Sequence, residues 1–151
     1  MPSGVHQLEV DLPIRNTWSF ISNIANWATL VPGYVEHEIL NERQSTWTFR
    51  GDAGLVHKTV CLKIDIQEWV EPARISFTLK GLNENFSGDG YFHAEELTNS
   101  TVKMTGYLHI TAKGLIGPMV NTMLRTMLPR TTKDFTEAVV RKMQRAEAVA
   151  R

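Results

Sequence analysis

Thr111-Ala112-Lys113-Gly114-Leu115-Ile116-Gly117-Pro118 opens the stretch that decides the fold. Met119, Val120, Met123, Leu124, Met127 and Leu128 follow at i, i+1, i+4, i+5, i+8 and i+9. That spacing lays six apolar residues on one stripe of a helix, with Asn121, Thr122, Arg125 and Thr126 on the other side. Gly114 and Gly117 end whatever precedes the helix, and Pro118 suits a first helical turn, where its missing N–H is no loss. Pro129 removes one hydrogen bond in mid-course, so a kink or short break is expected there, with Thr131 or Thr132 capping a restart. Phe135, Ala138, Val139, Met143 and Ala146 continue an apolar face.

Working back from this helix, nearly everything has the two-residue period of strands. Val5 to Leu12 alternates, with His6, Leu8, Val10 and Leu12 on one side. Pro13 ends it, and Ile14, Trp18, Ile21 and Ile24 have helical spacing. Asn23 or Asn26 offers a cap for a second short helix through Trp27 and Leu30. Pro32-Gly33 turns the chain. Six strands then follow: Tyr34 to Leu40, Ser45 to Arg50, Leu55 or His57 to Trp69, Arg74 to Lys80, Phe86 to Glu95 and Thr101 to Ala112. Gly51-Asp52-Ala53-Gly54, Glu71-Pro72, Gly81 to Asn85 and Thr98-Asn99-Ser100 separate them. Consecutive strands joined by short turns pair antiparallel. An amphipathic helix after such a run lies on the sheet, so the fold class is α+β.

The 151 residues suit one domain with one core. The 16 basic and 16 acidic side chains cancel, which points away from nucleic acid. They are unevenly spread. From Lys113 onward there are eight Lys/Arg against three Asp/Glu; before it, eight against thirteen. A helix of +5 thus rests on a body of −5, either as internal complementarity or as a basic face for an anionic membrane or partner. Cys61 stands alone, so no disulfide framework and no cysteine metal site is expected. No apolar run approaches the roughly 20 residues of a membrane span, and no secretory leader is visible. A cytoplasmic protein is the expectation.

Gly88, Gly90, Gly106 and Ala112 fall on the inward parity of the last two strands, opposite Met119, Met123 and Met127. Small inward residues either leave a hollow or give the sheet its bends. Methionines suit an adaptable lid or an irregular core equally.

The order of elements resembles the helix-grip fold of the START-like, or Bet v 1-like (SRPBCC), superfamily. The motifs Val10-Asp11-Leu12-Pro13 with Trp18, Val31-Pro32-Gly33-Tyr34, Glu71-Pro72-Ala73-Arg74 and Thr111 to Pro118 are similar to its carbon-monoxide dehydrogenase G-related branch. The resemblance implies a curved seven-stranded antiparallel sheet around a long kinked C-terminal helix, with two short helices after strand 1, spanning residues 1–151. It implies an apolar cavity under that helix for a lipid, quinone or polyketide-like molecule. Cyclase or aromatase chemistry, and service to a carbon-monoxide-dehydrogenase-type oxidoreductase, are the alternatives it carries. The expected lining is Val60, Leu62, Ile64, Phe77, Leu79, Phe92, Met104 and Leu108, with Met119, Met123 and Met127 as the lid and His37 or Tyr107 as a polar anchor.

Chemistry is hard to find in the residue pattern. No metal spacing, nucleophile signature or phosphate loop is present, and no cofactor or metal is expected. His93 and His109 have outward parity and are expected in solvent. His37 shares a face with Val35 and Ile39, as a hydrogen-bonded core histidine or a cavity group. His57 could lie near Asp52. Trp18 and Trp27 are expected to pack the small helices onto the sheet, or to stand at the cavity mouth.

Overall fold

The computed structural model describes the backbone of residues 2–53 and 56–150, and side chains over 2–50 and 59–147. The chain runs β1 (Ser3–Val10), α1 (Ile14–Ile21), α2 (Ile24–Trp27), a 3-10 turn (Ala28–Leu30), β2 (Tyr34–Ile39) and β3 (Gln44–Ala53). It continues through β4 (Val56–Val70), β5 (Arg74–Gly81), β6 (Phe86–Thr98), β7 (Thr101–Ala112) and α3 (Gly117–Ala150). All seven strands join one antiparallel sheet in the order β1-β7-β6-β5-β4-β3-β2. Five hairpins connect β2 through β7, and β1 returns to pair with the last strand. This is the expected helix-grip arrangement.

The inward parities hold across the sheet. Ser45, Ile64, Leu79, Gly88 and Ile110 form one cross-strand row. Ile66, Phe77, Gly90, Leu108 and Gly4 form the next. Bulges in β2 after Tyr34, in β4 after Ile66 and in β6 after Glu96 shift the register locally and bend the strands. The expected turn at Gly51 to Gly54 is shorter than the spacing suggests. β3 extends to Ala53, while Gly54 and Leu55 lie outside the described residues.

The centre of the core is an aromatic knot around Trp27. Its indole meets Trp47 of β3, Phe77 of β5, Phe92 of β6 and Phe135 of α3, at centroid separations of 5.1 to 6.1 Å. Trp27 is fully buried, and its Nε1–H donates to the Ile21 carbonyl at 2.8 Å. The buried indole is thereby satisfied by the turn between α1 and α2. Asn23 caps α2 by accepting from the Ala25 N–H.

α3 packs along β1 and β7. It runs unbroken through Pro129, so the anticipated break and restart cap are absent. Thr131 and Thr132 lie inside the helix, and Thr132 is buried. Close approach explains the inward glycines. A Cβ on Gly4 would meet the Leu128 carbonyl and the Thr132 hydroxyl, and one on Gly106 would strike Thr136. A Cβ on Gly90 would meet the Phe77 ring. At these three positions the missing side chain is replaced by the helix or by an aromatic ring, not by empty space.

Gly106→Ala should therefore destabilise the fold by about 1–3 kcal/mol through overpacking. Adding Thr136→Ala should recover part of that loss. Urea unfolding of both singles and the double checks it; additive costs would show that the two residues do not compete for one space.

Candidate functional site beneath the first half of the C-terminal helix

The inner face of the sheet divides in two. Under the second half of α3, Val102, Met104, Ala94 and Phe92 are sealed against Val139, Val140 and Met143. Under the first half the rows stay partly open. Phe49, Phe86, Leu108 and Ile110 have inward parity yet are only half-buried. Leu30 of the 3-10 turn and Val31 after it are half-buried against the core, while on α3 Val120, Met123 and Met127 are half-buried beside the buried Leu124 and Leu128. Apolar groups that face inward yet keep contact with water make this end of the inner face the candidate site.

The expected lining residues sort along this division. Val60, Leu62, Ile64, Phe77, Leu79 and Phe92 are buried on the inner face, and Leu108, Met123 and Met127 are half-buried beside them. Met104 lies at the sealed end, opposite Leu8 and Ala94. Met119 departs from the expected stripe: it is exposed in the first turn of α3, where its side chain meets water. Phe49, Phe86 and Ile110 belong to the half-open region although nothing in the sequence pattern singles them out. Their parity is readable there, but their incomplete burial is not. Between the two regions is a cavity of about 10 Å3, lined in part by Phe77, Phe92, Leu108, Phe135 and Thr136. It has room for about one water. The Thr132 hydroxyl reaches the same space, buried and without a protein acceptor.

Two polar features stand beside the half-open rows. The first is a pair on β2. The bulge after Tyr34 realigns the strand, so Tyr34 is opposite Phe49 and His37 opposite Trp47, both on the inner face. Val35, expected to share that face, is exposed. The Tyr34 hydroxyl and His37 Nδ1 are 2.7 Å apart and half-buried. The second is Asn121, whose amide spans the end of β7. Its Oδ1 accepts from the Ala112 N–H at 2.8 Å, and its Nδ2 donates to the Ala112 carbonyl at 2.9 Å. Asn121 falls on the polar side of the helical stripe, so its periodicity conceals this role.

The outer face corrects a second expectation. His93 and His109 are half-buried, not solvated. Register places Asp89 opposite His109 and Tyr91 opposite Tyr107, and the neighbouring side chains shield one another. His109 Nδ1 is 3.0 Å from Asp89, and its Nε2 is 3.1 Å from the Thr111 hydroxyl. His93 Nδ1 is buried with no partner. Tyr107, expected as an anchor inside the cavity, stands on this outer face instead: its ring stacks on Tyr91 at 5.0 Å, and the Arg74 guanidinium sits 4.1 Å over Tyr91. The pKa of Tyr107 is raised, first by desolvation and then by the Asp89 charge and Tyr91. Asp52 and His57 are backbone partners in the β3–β4 register, but their side chains lie outside the described residues. Among the described residues, no group of three His, Cys, Asp or Glu side chains could hold a metal. No helix among them is long and apolar enough to cross a membrane.

A protein-family model matches residues 1–146 of the chain. No curated protein sequence matches the chain. Solved structures do match in fold. A START superfamily protein from Mycobacterium smegmatis superposes with a TM-score of 0.71 at 15% identity, covering 95% of this chain and 98% of that one. An aromatase/cyclase from a Streptomyces species gives 0.70 at 17%, covering 95% and 93%. A conserved protein from Geobacillus kaustophilus gives 0.74 at 13%, covering 95% and 96%.

Replacing Asn121 by Ala strands a backbone donor and acceptor at once, which should cost about 1–3 kcal/mol. Amide exchange should accelerate in the first turns of α3 and leave the Val139 to Met143 segment protected. Tyr107 gives a pH test. Its folded pKa lies above the ordinary value of 10.0, so the fold favours the neutral phenol. Its contribution is intact below pH 10.0 and is lost as pH rises through the folded value. Absorbance titration should find one late-ionising tyrosine, absent in Tyr107→Phe, whose stability should fall less steeply in alkali.

Proposed function

We propose that the chain, which has the START-like helix-grip fold, binds a hydrophobic small molecule between the sheet and the first half of α3. The observation that carries this reading is the half-burial of inward-facing Phe49, Phe86, Leu108 and Ile110, whose counterparts under the second half of α3 are sealed. Apolar burial would drive binding at roughly 25 cal/mol per Å2. Val60, Leu62, Ile64, Phe77, Leu79 and Phe92 form the floor, Met123 and Met127 the roof, and His37 with Tyr34 the polar end that orients the ligand. Lipids, quinones and polyketide-like compounds fit this chemistry. On this reading residues 1–151 act as one ligand-binding domain in the cytoplasm. The narrower kinship with the carbon-monoxide dehydrogenase G-related branch rests on the motifs Val10 to Pro13, Val31 to Tyr34, Glu71 to Arg74 and Thr111 to Pro118. It would make the chain an accessory or assembly protein of a carbon-monoxide-dehydrogenase-type oxidoreductase.

A second reading is an enzyme of the cyclase kind, and one observation favours it. The Tyr34 hydroxyl and His37 Nδ1 at 2.7 Å form a pair of proton-transfer groups at an apolar site. Such a pair could take a proton from carbon next to a carbonyl and return one to oxygen. The aromatase/cyclase from Streptomyces is similar in fold alone and does not decide between the readings.

Native mass spectrometry of freshly purified protein should reveal a co-purifying apolar molecule that organic solvent removes. Met123→Trp should fill the mouth and weaken rebinding of that molecule by about tenfold or more. Rebinding at full strength would remove the proposed site. For the second reading, a poly-β-ketone substrate should turn over with the wild-type protein and not with His37→Gln. A substrate bound but unchanged would rule the catalytic reading out.

A further inference from the structure

The end of the molecule at the half-open rows carries apolar side chains that the fold holds out in water. Leu115 is 104% exposed, Ile116 57% and Met119 58%, at the junction of β7 and α3. Leu82, 56% exposed, stands on the adjacent β5–β6 turn. The Lys113 N–H donates to the Asn85 carbonyl at 2.9 Å, which ties the two turns together. The Asn83 amide anchors its turn to β4, accepting from the Cys61 N–H and donating to the Thr59 carbonyl. Asn121 anchors the helix start to β7. Neither turn is a loose loop whose apolar groups could fold back at no cost. A hydrogen-bonded frame presents them to solvent.

Charge continues the pattern. From Lys113 to Lys133 the chain holds Lys113, Arg125, Arg130 and Lys133 and no carboxylate. All four are exposed, and none forms an ion pair with another described residue. Glu84 is the acidic residue of the neighbouring turn, half-buried and already engaged within the fold. An apolar tip with a cationic flank is the pattern that inserts shallowly among lipid headgroups while its charges meet anionic phosphates. A protein partner would account for the apolar tip equally well. Four cations and no carboxylate between Lys113 and Lys133 favour a surface of dense, uniform negative charge.

We infer that Leu82, Leu115, Ile116 and Met119 form a docking tip for an anionic lipid surface, flanked by Lys113, Arg125, Arg130 and Lys133. The tip adjoins the half-open rows, so docking brings the mouth of the ligand site against the bilayer. This part of the inference rests on the proposed function: an apolar ligand then passes between membrane and protein without crossing water. Binding at the surface itself does not depend on a ligand.

Vesicle sedimentation tests it with two probes, phosphatidylcholine alone and phosphatidylcholine with about a third phosphatidylglycerol. The full chain should sediment with the anionic vesicles, weakly or not at all with the neutral ones, and less as salt rises. Leu115→Ser with Ile116→Ser and Met119→Ser should weaken binding at least about tenfold. Lys113→Glu with Arg125→Glu and Arg130→Glu should do the same. All six positions are exposed, so both variants should keep the wild-type circular dichroism and melting temperature. Both should also keep their uptake of a fluorescent fatty-acid analogue in the absence of vesicles. Equal sedimentation with neutral and anionic vesicles, no sedimentation with either, or full binding by either variant overturns the docking tip. Vesicle binding by a protein that takes up no fatty-acid analogue supports the tip and removes the ligand reading.

Discussion

The fold depends on one buried indole. Trp27 is carried by a helix of four residues that could not stand alone in water, since isolated helices far longer than this are marginal. What holds it is the knot: Trp27 touches β3, β5, β6 and α3 at once, and its N–H is taken by the Ile21 carbonyl. The knot fills the middle of the space between sheet and helix. It lets a sheet whose main contacts with α3 run along β1 and β7 keep a dry centre beneath β3, β5 and β6. Everything beyond the knot is divided by it into a sealed side and a half-open side.

The two sides differ in how α3 is attached. From Leu128 to Thr136 the helix rests on glycine: Gly4 and Gly106 have no Cβ, and helix groups occupy that space. Contact this close leaves no passage. Toward its start the helix is tied by the two hydrogen bonds of Asn121 to Ala112 and by side chains that stay partly wet. Pro129 sits near the boundary and removes one helical hydrogen bond there without ending the helix. The two halves of one continuous helix thus have different local stabilities.

Much of the architecture could be read from the residues because it follows from periodicity. The alternation in Val60 to Gln67 and Thr101 to Ala112, and the stripe in Met119 to Leu128, survive almost unchanged as β4, β7 and α3. Other features depend on contacts between residues far apart in sequence. The glycines look the same whether they make a hollow or receive a helix, because a missing Cβ does not name its neighbour. Register decides the outer face as well. Pairing Asp89 with His109 and Tyr91 with Tyr107 turns two expected surface histidines into members of a half-buried ladder. On β2, one bulge moves His37 away from Val35 and beside Tyr34. Met119 follows its period and still comes out exposed, because at the first helical turn the sheet below has already ended.

Uneven attachment has a consequence for exchange at the candidate site. A ligand under α3 must enter where contacts are cheapest to separate, and the cost of separating apolar surface scales with the area that is dry. That area is smallest where Phe86, Leu108 and Ile110 are half-wet and largest where Val139, Val140 and Met143 are sealed. Lifting the first turns of α3 exposes Leu124 and side chains that are already half-wet, and the Ala112 groups released from Asn121 can turn to water. Lifting the second half would expose the knot. Among the described residues, the stretch that begins the helix is thus where an opening would cost least while Trp27 stays in place.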